Sequence, residues 1–398
     1  MQKPGAALSP ILVIVMTIFI DVTGFGIVLP LLPYYAAVFG AGSTALGVLV
    51  ASFALMQFIF SPVLGRLSDR VGRRPVLLLS ILTSVVSFFL FGLANSFIML
   101  LLSRIVAGMA TEVGVAQAYI ADITEKKGRA TGMGRVGAAH GAGFIIGPAL
   151  GGFLSTYSFS AAGFAAAALA LVNLVFAFFF LPESRVNTSK ESYSGRKLGF
   201  MKGLADVLSR PLMGSLLAIL FIMSFAFSAF PVVMPLLAIS LFGLGSSDMS
   251  YFFVYIGVVQ IVFQGFIVGR LAGRVGEGKL IAAGTLLMAL SLFFMALFPN
   301  FEVFLVLSTI MVSGMGMLGT AIPSFISKRT SPEEQGGVLG VTQSVSSTAR
   351  IPGPLVGGAV YELAGLTAPF LMSSALLAIA TVLGIRIGLD QEASSPSD

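Results

Sequence analysis

Three ionisable side chains stand inside long apolar runs: Asp21 in IFIDVTGFGIV, Arg104 in LLSRIVAGMA, and Glu112, two turns beyond Arg104. Hydrocarbon favours the neutral form of a carboxyl, whereas a guanidinium within a few ångströms favours the charged form. A carboxyl exposed in turn to both environments takes up and releases a proton, which is the chemistry of a proton carrier. Asp21 lies about 16 Å along its run at 1.5 Å per residue, and Glu112 sits at a similar depth. The alternative is a fixed ion pair between Asp21 and Arg104 that only joins two helices. Glu112 has the further alternative of facing an aqueous vestibule.

The second half of the chain places no acid deep in an apolar run. Its deeply placed charge is Arg350, with Tyr255, Gln260, Gln264 and Gln343 as nearby polar candidates for contacting a substrate. Arg350 either neutralises an anionic substrate or pairs with an acid of the first half. Gln57 and His140 are the polar candidates of the first half. His140, the sole histidine, titrates near neutrality when free; a lone histidine beside glycines is more often a hydrogen-bonded packing residue.

Charge is concentrated elsewhere in GRLSDRVGRRP, residues 65–75, with four arginines and one aspartate in a chain that is 10% charged. Gly65 and Gly72 permit a tight reversal, and Pro75 suits the first turn of a helix. Asp69 is an acceptor set among Arg66, Arg70, Arg73 and Arg74. The plain alternative, for Asp69 as for the arginines, is topology determination by positive charge.

The elements that must position these groups follow from composition. The 398 residues are 57% hydrophobic and include 46 glycines and 35 phenylalanines, with a mean hydropathy of +0.99. Such a chain is lipid-embedded. Twelve runs are each long enough to cross a hydrocarbon layer of about 30 Å. They fall at 11–34, 45–64, 75–94, 97–121, 130–155, 161–181, 212–240, 249–270, 279–298, 302–326, 337–362 and 368–388. The first is expected to be a retained helix, being too long for a signal peptide and lacking a small-residue cleavage site.

The net charge of +6 does not point to nucleic acid, because the lysines and arginines occupy alternate connections. That asymmetry predicts cytoplasmic termini and a cytoplasmic middle loop. Asn187-Thr188-Ser189 fits a glycosylation sequon but falls in that loop, on the wrong side. With no cysteine, disulfides and thiol chemistry are excluded. One histidine and no cysteine cannot supply a metal cluster.

The polar stretch 182–210 divides six spans from six. The reading is an all-α, polytopic protein with a bundle at 1–181, a cytoplasmic linker at 182–210, a second bundle at 211–390 and a polar tail at 391–398. Sliding one half over the other by 204 to 206 residues aligns GRLSDRVGRR with GRLAGRVGEG, GPALGG with GPLVGG and PLLP with PLLA. Parallel duplication of six-helix units is the architecture of transporters that rock two halves about a central site.

Five segments together resemble the major facilitator superfamily, in its drug/proton antiporter group and tetracycline-efflux branch. GRLSDRVGRRP is similar to the cytoplasmic signature between spans 2 and 3, LLSRIVAGMA to the span 4 motif, and GAGFIIGPALGG (141–152) to the span 5 antiporter motif. IDVTGFGIVLPLLP (20–33) and AYIADIT (118–124) resemble the drug-exporter and tetracycline-branch motifs. The resemblance implies that Asp69 bonds across the halves to the start of span 11, and that Arg70, Arg73 or Arg74 pairs with Asp122. It also implies that Gly143, Gly147, Pro148, Gly151 and Gly152 form a seam with the opposite half. Glycines spaced by four equally give ordinary close helix packing. Ser87 stands where tetracycline exporters carry an acid, span 9 shows none, and Gly273 replaces Asp69 in the second signature. These departures leave the fold intact and weigh against tetracycline itself as substrate.

Three other patterns fail on context. GMGRVG (132–137) and GMGMLG (314–319) fit a dinucleotide fingerprint but lie inside apolar spans with no preceding strand. GRVGEGKL (273–280) approaches a phosphate loop but has Leu280 where magnesium needs a hydroxyl. The expectation is a secondary transporter without enzymatic activity or resident cofactor, exporting a hydrophobic drug-like molecule against protons. It is expected to act as a monomer in the inner membrane, with small-molecule substrate, protons and lipid as partners. Organic-anion or lipid transport, symport, and a non-transporting receptor are the alternatives.

Overall fold

Every regular element among the described residues of the computed structural model is helical, as a chain that must satisfy its backbone inside lipid requires. The structure describes residues 9–110, 112–124, 129–184, 210, 212–298, 300–330 and 335–393.

Helix α1 (Pro10–Val28) continues through a short 3₁₀ turn, Leu29–Leu31, into α2 (Leu32–Val38). Pro30 and Pro33 explain the change of winding there, since neither can donate a backbone hydrogen bond. Then follow α3 (Ser43–Val71), α4 (Arg73–Gly92), α5 (Phe97–Met109), α6 (Glu112–Ile123), α7 (Arg129–Ser155) and α8 (Phe159–Phe180). The second half comprises α9 (Met213–Phe242), α10 (Ser246–Val262), a π-helical segment Phe263–Val268, α11 (Gly269–Val275) and α12 (Glu277–Leu297). It ends with α13 (Phe301–Lys328), α14 (Gln335–Ala349), α15 (Pro352–Ala364) and α16 (Ala368–Ala393).

Ten helices among the described residues, counting α1 with α2 and α5 with α6 as one each, are long and apolar enough to cross a membrane. The other two expected spans are interrupted. The run 249–270 passes through the π-helical segment, and 337–362 breaks at Arg350–Ile351 ahead of Pro352. The fourth span also pauses, at Ala110, whose ψ of 128° leaves the helical region.

The chain divides into two compact units. Unit 1 is Met1–Ala41, Ser52–Glu191 and Leu244–Tyr255; unit 2 is Gly42–Ala51, Ser192–Gly243 and Ile256–Asp398. The first turns of α3 therefore belong to unit 2 and those of α10 to unit 1. In unit 2 the orphan N–H of Thr44 and the Ser43 hydroxyl donate to Glu362 Oε2 at 3.1 and 3.3 Å. In unit 1 the Ser247 hydroxyl donates to the Gly152 carbonyl at 2.9 Å, and the Tyr34 hydroxyl to that of Leu244 at 3.1 Å.

The core of unit 1 gathers around α1. Val13, Ile14, Ile18 and Val22 are buried against Leu77 and Ile81 of α4, Val115, Tyr119 and Ile120 of α6, and Ala177 of α8. On α7, Gly143, Gly147 and Gly151 meet successive turns of α1 at Phe19–Thr23, Thr23–Gly26 and Ile27. The two helices run parallel and lock turn for turn. This crossing fixes the height of Asp21 in the bundle.

Candidate functional site

The cytoplasmic cluster of unit 1 is built at the start of α4. Gly72 precedes that helix with φ of 108°, a left-handed conformation open to glycine, and offers no side chain to cap the exposed N–H groups. Glu183, just beyond α8, supplies the cap instead. Its Oε1 accepts from the N–H of Arg73 at 2.9 Å, and its Oε2 from that of Arg74 at 3.1 Å. A Cβ on residue 72 would lie 2.5 Å from Glu183 Oε2.

The Arg73 side chain then runs inward and is nearly buried. Its guanidinium bonds Asp69 at 2.8 Å, Asp122 at 3.0 Å and the Ser68 hydroxyl at 2.6 Å. One arginine thus joins α3 to the end of α6. A cation in the first turn of a helix faces the positive end of the backbone dipole. Three carboxylates, Asp69, Asp122 and Glu183, offset that placement.

Of the three arginines the resemblance offered as partners for Asp122, it is Arg73 that pairs with it. Arg74 instead donates to the Phe178 carbonyl at 2.6 Å and lies 5.6 Å over that ring. Arg70 is exposed. The implied partner of Asp69, the start of span 11, begins at residue 337, and the side chains from 331 to 337 lie outside the described residues. Gly65 has open space about it. It lines, with Ser61, Gly114 and Val115, a cavity of about 180 Å³ between α3 and α6.

Sequence reasoning missed Glu183. The available signal was a helix starting with two arginines and no capping side chain, which requires an acceptor from elsewhere in the chain. Two changes follow as expected results. Gly72→Ala strains the backbone and displaces the Glu183 cap, at a cost of about 1–3 kcal/mol read as a lowered melting temperature in detergent. Asp69→Asn leaves the pair between Arg73 and Asp122 in place, so turnover should slow several-fold with KM unchanged in a transport assay; normal turnover would leave Asp69 a topology marker.

Deeper in unit 1, Arg104 is 2% exposed. Its Nε bonds the neighbouring Ser103 hydroxyl at 3.4 Å, and its guanidinium lies 5.5 Å over the Phe91 ring. Its Nη2 has no hydrogen-bond partner, and no ion pair joins it to Asp21 among the described residues. Asp21 is half-buried on α1. Glu112 opens α6 immediately after the pause in the fourth span; its side chain lies outside the described residues.

The span 5 motif divides. Gly143, Gly147 and Gly151 face α1 of their own unit, the close-packing alternative, and Pro148 Cδ is 2.9 Å from where a Cβ on Gly26 would lie. Gly152 faces α10, where a Cβ would meet the Ser250 side chain at 2.8 Å.

The remaining polar candidates are dispersed. His140 stacks on Phe144 with ring centroids 5.4 Å apart, as a packing residue does. Gln57 is half-buried on α3, and Tyr255 is exposed on α10. In unit 2 the Gln264 stem, inside the π-helical segment, lies against Gly316 of α13. Arg350 closes α14 with its Nη2 3.4 Å from the Ser347 hydroxyl. A cation there complements the negative end of the helix dipole. No hydrogen bond links Arg350 to Gln260 or Gln343 among the described residues.

Comparison with known proteins gives one consistent answer. The family model described as Major Facilitator Superfamily matches residues 14–267 and 242–397. The chain is 30% identical over 388 residues to Multidrug resistance protein 1 of Bacillus subtilis (strain 168), covering 97% of each. It is 32% identical over 358 residues to the class E Tetracycline resistance protein of Escherichia coli, covering 88% of each. Among solved structures, the human organic anion transporter MFSD10 (TETRAN) matches with a TM-score of 0.69 and 25% identity, covering 96% of this chain and 100% of that one.

Proposed function

The chain belongs to the major facilitator superfamily and is an alternating-access membrane transporter, not an enzyme; on that premise we propose that it exchanges protons for hydrophobic drug-like molecules, exporting them. The observation that carries this reading is Arg104. A guanidinium buried in the bundle with no ion pair among the described residues costs several kcal/mol unless a partner reaches it. Asp21 on α1 and Glu112 on the same span are the acids of that bundle suited to be the partner. Proton loading of one of them would alternate with pairing to Arg104. The names of the relatives at 30% and 32% identity supply the substrate class.

The protein works as a single chain in the inner membrane with both termini cytoplasmic, and the proton is its coupling ion. One elementary charge moved through 100 mV releases about 2.3 kcal/mol, enough for roughly fifty-fold accumulation. The test is reconstitution with ethidium as probe. Vesicles whose lumen is acid relative to the bath should accumulate ethidium, and dissipating the pH difference should release it. No accumulation in gradients of either sign would defeat the reading.

A second reading has its own support. Both Arg104 and Arg350 lack an acidic partner among the described residues, and the matched human transporter carries organic anions. Fluorescein uptake that responds to Arg350→Gln, with no ethidium movement, would establish organic-anion transport instead.

A further inference from the structure

Among the described residues three charged side chains are buried: Arg73, Arg104 and Glu277. Arg73 and Glu277 stand 204 residues apart, the offset of the internal duplication. Each is the first residue of the helix that forms the third span of its half, α4 and α12, directly after a glycine of positive φ. Gly72 has φ 108° and ψ 158°; Gly276 has φ 85° and ψ 154°.

Their partners correspond as well. Arg73 holds Asp122 at the end of α6, which closes the fourth span. Glu277 Oε1 accepts from Lys328 Nζ at the end of α13, the fourth span of the second half, and from the Ser324 hydroxyl at 3.0 Å. Asp122 and Lys328 are 206 residues apart.

We infer that Glu277 and Lys328 are the working counterpart of Arg73 and Asp122 with polarity reversed, and that they are positioning residues for transport. They hold the cytoplasmic end of α12 to that of α13. The second signature, with Gly273 in place of Asp69, is therefore rewritten with the opposite sign, not decayed.

Reversal changes what each staple needs. Arg73 opposes the dipole of α4 and is held by Asp69 and Asp122, with Glu183 capping the helix start. Glu277 agrees with the dipole of α12, so one lysine and one serine suffice. Asp69, with a side chain 53% exposed, is a removable member of the first staple. The second staple has Gly273 at that position, so it is the passive one.

The chain contains no cysteine, so introduced thiols label cleanly. Ethidium transport and the spin-label distance between Ala283→Cys and Arg329→Cys are measured together. Glu277→Gln and Lys328→Gln should each lower the maximal rate about tenfold with KM within about twofold, and broaden the distance distribution. The exchanged pair, Glu277→Lys with Lys328→Glu, should recover the rate to within about fivefold and restore a narrow distribution.

Wild-type rates in both single variants would overturn the inference. So would an exchanged pair that is monodisperse yet no better than the singles, the result expected if Glu277 acts only through the dipole. If a single variant does not fold, the exchanged pair decides: recovery supports the inference and failure overturns it. The inference uses the transport reading only for its rate measurement. Should the wild type move no ethidium, that reading of the substrate fails, and the label distances decide the staple alone.

Discussion

Asp21→Asn is expected to abolish uptake driven by a pH difference, a fall of at least about 100-fold, while exchange of ethidium across vesicles at equal pH stays within about twofold. The separation follows from what asparagine can and cannot do. It keeps the size and the hydrogen-bonding capacity of the side chain, so the half-buried position on α1 tolerates it. It cannot take up a proton, so nothing links the state of the bundle to the gradient. Exchange needs only the conformational cycle with substrate aboard. The removal of a charge should also leave Arg104 with one fewer acid to meet, which slows the cycle less than it uncouples it. Unchanged pH-driven uptake would remove Asp21 from coupling and pass the role to Glu112, for which Glu112→Gln is the matching variant. Loss of exchange together with driven uptake would mark Asp21 as a structural partner of Arg104, the fixed-pair alternative.

What was legible in the sequence was whatever has a linear signature. Apolar runs, the alternation of cationic connections and the duplication offset are all carried by neighbouring residues, and the all-helical, two-halved fold follows from them, while the family came from the resemblance of five short motifs. The signature 65–75 was legible for the same reason. Its actual wiring was not, because choosing Arg73 over Arg70 or Arg74 depends on which way each guanidinium leaves the first turn of α4. Glu183 was missed because its role exists only where the end of α8 returns to Gly72. Glu277 was missed for a subtler reason. A motif search looks for the same residue at the same place, whereas duplication preserved the staple and inverted its charge. The interruptions at Arg350 and in the π-helical segment also escaped a hydropathy reading, which records apolarity and not winding.

Gly147→Val is expected to be strongly destabilising, costing about 3 kcal/mol or more and lowering the melting temperature by roughly 10 °C. A Cβ at this position would lie 2.5 Å from the Thr23 carbonyl oxygen and 2.7 Å from Gly26 Cα. Both are backbone atoms, so no rotamer change relieves the clash and the helices must part. The partner surface is equally bare: a Cβ on Gly26 would lie 3.0 Å from Gly147 Cα. Valine at Gly137, on the same helix with nothing within 4 Å, supplies the control and should change stability by less than about 0.5 kcal/mol. The consequence extends to coupling, because Thr23 is two residues from Asp21 on the face that α7 grips. Forcing α1 away from α7 shifts that carboxyl relative to Arg104 on α5, so any Gly147→Val protein that does fold should lose pH-driven uptake more than exchange. A variant as stable as wild type would show that α1 and α7 are not in close backbone contact. Exchange and driven uptake falling in equal proportion would show that the crossing serves stability alone.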